Sequence, residues 1–209
     1  HEAVLNHINF EHSLSHLIAK ATRGSRNDQA LIRQTAQRIY CDDPSLIDIA
    51  IRDLNAPLQR DPACSGPLHV LLHFKGYIAL EAHRISNHLW RQRLYDLAKI
   101  LHHSISHALH VSIHPSAVIG NSLFIDHGTG VTVGRDVVIE DDVSMLQDVT
   151  LSSLIDGSVG APRIGRGVLL SAGATVLGNV EVGDFAKIGA GSLVLTSIPS
   201  GCTAVGVPA

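Results

Sequence analysis

From Ile113 onward every sixth residue is β-branched: Ile119, Ile125, Val131, Val137, Val143 and Val149 follow in order. The series breaks there and resumes at Ile164 with Leu170, Val176, Val182, Ile188 and Val194, so thirteen positions carry an aliphatic residue without a miss. A period of six matches neither the helical repeat nor the two-residue alternation of a half-buried strand. It is the signature of a parallel β-helix, in which each hexad supplies a short strand and a turn, and stacked coils bury what one coil cannot. β-Branched side chains suit such a narrow core. Gly120, Gly165, Gly183 and Gly189 directly follow periodic residues, where the chain turns close to its neighbour. Fifteen residues separate Val149 from Ile164 where two hexads take twelve, so three residues leave the coil. The segment SSLIDGSVGAP, residues 152–162, is therefore predicted to contain a protruding loop, with Gly157, Gly160 and Pro162 as its turn residues. Loops on rigid scaffolds are common places for function.

The first 110 residues have a helical rhythm instead. In DPSLIDIAIRDLNAPLQRD, residues 43–61, apolar residues fall at Leu46, Ile49, Ala50 and Leu54, with Asp43 and Pro44 as the predicted start. Residues 69–109 read as one long helical run, interrupted at most near Gly76. The predicted class is α+β: an all-helical domain over 1–110, then a β-helix over 111–209 with its loop at about 152–162. The helices carry several apolar faces, which predicts packing among themselves and against another subunit.

Composition narrows the function. A formal charge of −3, from 16 basic and 19 acidic residues, offers no basic field for nucleic-acid phosphates. No apolar run approaches the roughly 18 residues that span a bilayer. The start HEAVLNHINF lacks a basic segment followed by an apolar one, so a cytoplasmic protein with no membrane partner is expected. Cys41, Cys64 and Cys202 are an odd, scattered set, which fits free thiols in a reducing compartment. His7, His12 and His16, and His102, His103, His107 and His110, lack Cys or carboxylate partners at ligand spacing, so no metal is expected.

The helical half contains RDPA at 60–63, FKGYIALEAHRI at 74–85 and HLW at 88–90. The repeat half contains SIHPSAVIG, IDHGTGVTVG, VIEDDVSMLQDVTL, VEVGDFAKIGAGS and the ending GAGSLVLTSIPSGCTAVGVPA. With these segments the chain resembles the serine acetyltransferases, members of the hexapeptide acyltransferases, nearly end to end. The resemblance implies a left-handed β-helix, an exception to the right-handed crossover rule, and a homotrimer or a dimer of trimers joined through the helical domains. It implies transfer of an acetyl group from acetyl-CoA to L-serine, giving O-acetylserine for cysteine synthesis. It further implies docking to cysteine synthase where a C-terminal tail is present, while feedback inhibition by cysteine, which would use the altered acceptor site, stays open.

A serine hydroxyl is a weak nucleophile at neutral pH, so the reaction needs a base, and a histidine is suited to that role. By resemblance His127 of DHGTG is the general base, and Asp126 and Asp61 are the acids that bind substrate. Ala172 and Gly173, and Ala190 and Gly191, match the small residues along which the pantetheine arm of CoA runs. Three places depart from the family. Ser112 stands where an aspartate orients the catalytic histidine. Ser152 and Ser153 replace a pair of glycines, with Ser153 kept as a CoA-binding candidate. Gly160 and Ala161 stand where an Arg and a His hold the substrate carboxylate, leaving Arg163 as the cation nearest in sequence. Three functions follow: an active serine acetyltransferase, a CoA-dependent acyltransferase with a changed acceptor or acyl group, or a non-catalytic paralogue acting in assembly or regulation.

Overall fold

A computed structural model describes residues 7–154 and 160–209. Six helices come first among them: α1 (Phe10–Ala21), α2 (Arg26–Asp42), α3 (Ser45–Arg60), α4 (Pro67–His73), α5 (Lys75–Arg91) and α6 (Tyr95–Leu109). Asn9 caps α1 by accepting the His12 N–H, and Ser25 and Asp28 form a reciprocal capping box on α2. α3 starts at Ser45 with Pro44 at its N-cap, one residue later than the sequence suggests. The long run from 69 breaks twice. Phe74 separates α4 from α5, and a turn through Arg93, with φ 64°, folds α6 back on α5. Helical periodicity continues through a tight hairpin, so only the first break carried a glycine to mark it.

Fourteen two- or three-residue strands follow, β1 (Ser112–Ile113) to β14 (Thr203–Ala204). Three parallel sheets form the faces of a triangular prism, a left-handed parallel β-helix. β1-β4-β7-β10-β13 form the first face, β2-β5-β8-β11 the second, and β3-β6-β9-β12-β14 the third. In most coils the inward strand residue is accompanied by a second buried residue two positions earlier, as in Val137 with Ile139 and Val168 with Leu170.

That pairing revises the register. Ile113, Ile119 and Ile125 are strand residues, but Val131, Val137, Val143 and Val149 are the earlier members of their pairs; the strands hold Val133, Ile139, Met145 and Leu151. β3 to β4 takes eight residues (Ile125 to Val133), two more than a hexad, and the surplus falls in DHGTG. Leu151 to Ile164 spans thirteen residues for one passage between faces, seven more than a hexad rather than three. Part of that predicted loop, 155–159, lies outside the described residues.

The two halves are clamped by buried charge. Arg84 on α5 donates through Nε to Asp53 Oδ2 at 2.8 Å and through Nη2 to the Gly120 carbonyl at 2.8 Å. Asp53 Oδ1 accepts the Leu123 N–H at 2.9 Å. Both side chains are almost fully buried, so the pair holds only because every partner is in place. Arg60, at the end of α3, adds bonds to Ser122 Oγ (3.0 Å) and Asp142 Oδ1 (3.2 Å) on the prism.

Candidate active site

One edge of the prism, between the third and first faces, stacks four turns: Asp126–Gly130, Leu146–Asp148, Ser171–Gly173 and Gly189–Gly191. Asp148 donates its N–H to the Thr129 carbonyl at 2.8 Å, Gly173 to Gln147 at 2.9 Å and Gly191 to Ala172 at 2.8 Å. Gly173 and Gly191 have φ near the left-handed region, 71° and 65°, and a Cβ on Gly173 would find only Gly191 within 4 Å. The edge there is a shallow backbone groove. Gln147 Oε1 is buried on it without a partner.

At one end of this edge sits His127. Its φ of 55° recurs at Asp136, Asp142 and Asp148, so the prism corner sets it. Gly128 donates to the Asp126 carbonyl across the turn at 2.5 Å, and Gly130 donates to the His110 carbonyl at 2.8 Å, tying the turn to the end of α6. The two extra residues push the imidazole outward: its side chain is 72% exposed, with Nε2 3.6 Å from Asp126 Oδ2.

The helical half closes over this turn at Gly76. A Cβ there would lie 2.2 Å from the Ile125 carbonyl oxygen, so only glycine lets α5 start against the strand that leads into His127. Lys75 is thereby brought beside the turn, where its Nζ donates to Thr129 Oγ1. Phe74 stacks on Phe124 with ring centroids 6.3 Å apart. The result is a cavity of about 350 Å³ whose polar lining is Asp61, His69, His73, Lys75, Asp126 and His127. Asp61 ends α3 and accepts the Ala63 N–H at 2.8 Å. His69 accepts the Ser65 N–H on Nδ1 at 3.3 Å.

The predicted residues divide accordingly. His127, Asp126 and Asp61 meet in one cavity, and Ala172, Gly173, Ala190 and Gly191 lie along the same edge. Ser153 follows β7, on the next edge round. Arg163 opens β8 on the second face, 3.8 Å from Glu140, and does not line the cavity. Ser112 Oγ lies 3.1 Å from His102 Nε2, so its hydroxyl is taken up by α6. Lys75, His69 and His73 were not singled out from the sequence. Lys75 was within the quoted FKGYIALEAHRI, but no spacing rule connects it to Thr129, 54 residues on.

His83 and His102 lie together where α5 and α6 meet the first strand. Burial, with the charge of Arg84 and then His102, lowers the His83 pKa to about 3, and its Nδ1 has no partner. Burial also lowers His102, with His114 and His103 adding to it, and lowers His114, with Arg135 next. Among the described residues no group of His, Cys, Asp or Glu could hold a metal ion, and the three cysteines are free. No helix of the described residues is long and apolar enough to cross a membrane.

Known proteins repeat this arrangement over the whole chain. The family described as "Serine acetyltransferase, N-terminal" matches residues 1–82, and "Bacterial transferase hexapeptide (six repeats)" matches 161–196. The serine acetyltransferase of Escherichia coli K12 is 43% identical over 210 residues, covering all of this chain and 77% of that protein. The chain belongs to the serine acetyltransferase family. Solved serine acetyltransferases agree in shape. The soybean enzyme complexed with serine superposes with a TM-score of 0.94 at 44% identity, covering 99% of this chain and 86% of that one. The Brucella abortus enzyme in complex with coenzyme A gives 0.95 at 38%, covering 99% and 83%. This serine acetyltransferase is accordingly an acyl-CoA-dependent O-acyltransferase, with acetyl-CoA as co-substrate.

Proposed function

We propose that the cavity at His127 transfers acetyl from acetyl-CoA directly to the hydroxyl of L-serine. The observation that carries this reading is the shared edge: the exposed imidazole lies at one end of the same groove that Gly173 and Gly191 line, beside the acids Asp61 and Asp126. His127 takes the hydroxyl proton as the oxygen attacks the thioester carbonyl; the tetrahedral adduct expels the CoA thiolate, which recovers the proton. Asp61 and Asp126 hold the serine ammonium. The pantetheine arm runs past Ala172, Gly173, Ala190 and Gly191, where no side chain stands in the way. Ser153 and Arg163 lie on other parts of the prism, outside this cavity, and the exposed Val118, Phe185 and Leu195 are apolar surface suited to packing in a homotrimer. Exposed Leu31, Leu97 and Ile100 on the helices do the same for joining two trimers.

The test follows CoA thiol release with L-serine and with a panel of hydroxy and amino acceptors, with the acetylated product identified by mass. The reading predicts equimolar CoA and O-acetylserine. Release only with another acceptor supports a changed substrate, and none from a folded oligomer supports a non-catalytic role.

A further inference from the structure

An α-amino acid acceptor is a zwitterion, and the acids of the cavity answer only its ammonium. Its carboxylate needs a cation, and the positions where the family resemblance places an Arg and a His are Gly160 and Ala161. Arg163 stands on another face, beside Glu140. His69 is engaged through its Nδ1 by the Ser65 N–H at 3.3 Å. Among the described residues Lys75 is the lysine or arginine that lines the cavity, with Asp61, Asp126 and His127, and its Nζ is held on Thr129 Oγ1 rather than in any ion pair found there. Lys75 is also the first residue of the 17-residue helix α5, whose N-terminus has no side-chain cap, so the positive end of the helix dipole adds to the same spot.

We propose that Lys75 is the carboxylate anchor of the acceptor site, selecting α-amino acids over amino alcohols; this rests on the serine acetyltransferase reading above. The carboxylate meets the ammonium of Lys75 while the substrate ammonium meets Asp61 and Asp126. These two fixed ends leave the hydroxyl as the free arm to meet His127. Thr129 Oγ1 accepts from Nζ and keeps the lysine turned toward the catalytic turn. The site thus takes both charges of its substrate from one chain, and the helical half supplies the specificity while the prism supplies the base.

Ethanolamine is serine without its carboxylate, which makes it the probe. The KM for L-serine and the Ki of ethanolamine as a competitor are measured for the wild-type oligomer, Lys75→Met and Lys75→Arg. Lys75→Met raises the serine KM about 10- to 100-fold, the loss of one charge-assisted bond, while the ethanolamine Ki stays within about threefold, and Lys75→Arg restores part of the difference. Equal weakening toward both ligands in Lys75→Met overturns the proposal and makes the lysine a packing residue. So does loss of discrimination in Arg163→Gln with Lys75→Met still discriminating. If the wild type neither acetylates nor binds serine, the serine reading itself fails and the anchor with it; serine turnover with unaltered discrimination in Lys75→Met sinks the anchor alone.

Discussion

The Ser112 hydroxyl faces His102, and this decides what a carboxylate at that position can do. Serine brings no charge to stabilise an imidazolium; among the described residues the acid within ion-pair distance of His127 is Asp126, at 3.6 Å, beyond hydrogen-bond length. Ser112→Asp places a negative charge beside His102, whose pKa burial lowers. The expected outcome in an NMR titration of the histidine rings is a rise in the pKa of His102 with His127 little changed. Movement of the His127 resonances instead shows the new carboxylate reaching the base. Sequence reading found Asp126 and His127 because they sit together in one motif. It did not find Lys75, because the contact with Thr129 is made by the fold rather than by spacing.

At the scale of elements, the edge depends on a register that slips. The hexad count from Ile113 passes smoothly through Val131 because both members of each inward pair are aliphatic: Val131 and Val133, Val137 and Ile139 are equally buried. A two-residue insertion therefore leaves the apolar period intact and moves the strands under it. That is why the β-helix could be read from the sequence while the outward bulge at DHGTG could not. The other half of the site depends on Gly76. Gly76→Ala drives a methyl into the Ile125 carbonyl, costing about 1–3 kcal/mol in urea unfolding and lowering kcat/KM through displacement of Lys75 and His127 together. Unchanged stability and activity contradict the close contact. The clamp is tested by Asp53→Ala, which strands Arg84 in a buried site and is expected to cost about 3–5 kcal/mol; a loss below about 1 kcal/mol assigns the pair the modest worth of a surface bridge.

Across the whole molecule, the junction of helices and prism sets groups held in their neutral forms beside the buried Arg84–Asp53 pair. Unfolded His83 takes a proton near the ordinary value of about 6.5, whereas the folded ring waits until about 3. Between those values the unfolded state binds more protons, so this histidine lowers stability as pH falls, by about 1.4 kcal/mol per pH unit. Glu81 works in the opposite sense: burial raises its pKa, so the folded chain keeps a proton the unfolded chain gives up, and stability falls as pH rises above the carboxyl range. Comparing wild type with His83→Phe at one protein concentration isolates the histidine, since Glu81 is common to both. The variant is expected to gain on the wild type steadily as pH drops from 7 to 5; parallel stability curves contradict the buried neutral ring. The same junction sets Lys75 and Asp61 against the prism, so the acceptor cavity exists only in the joined molecule. The most direct measurement of His127 as the base is serine-dependent CoA release by wild type and His127→Ala, with L-serine binding measured alongside. The expected result is a loss of about 10²- to 10⁴-fold in kcat with binding retained; an alanine variant turning over within a few-fold of wild type rules out His127 as the base.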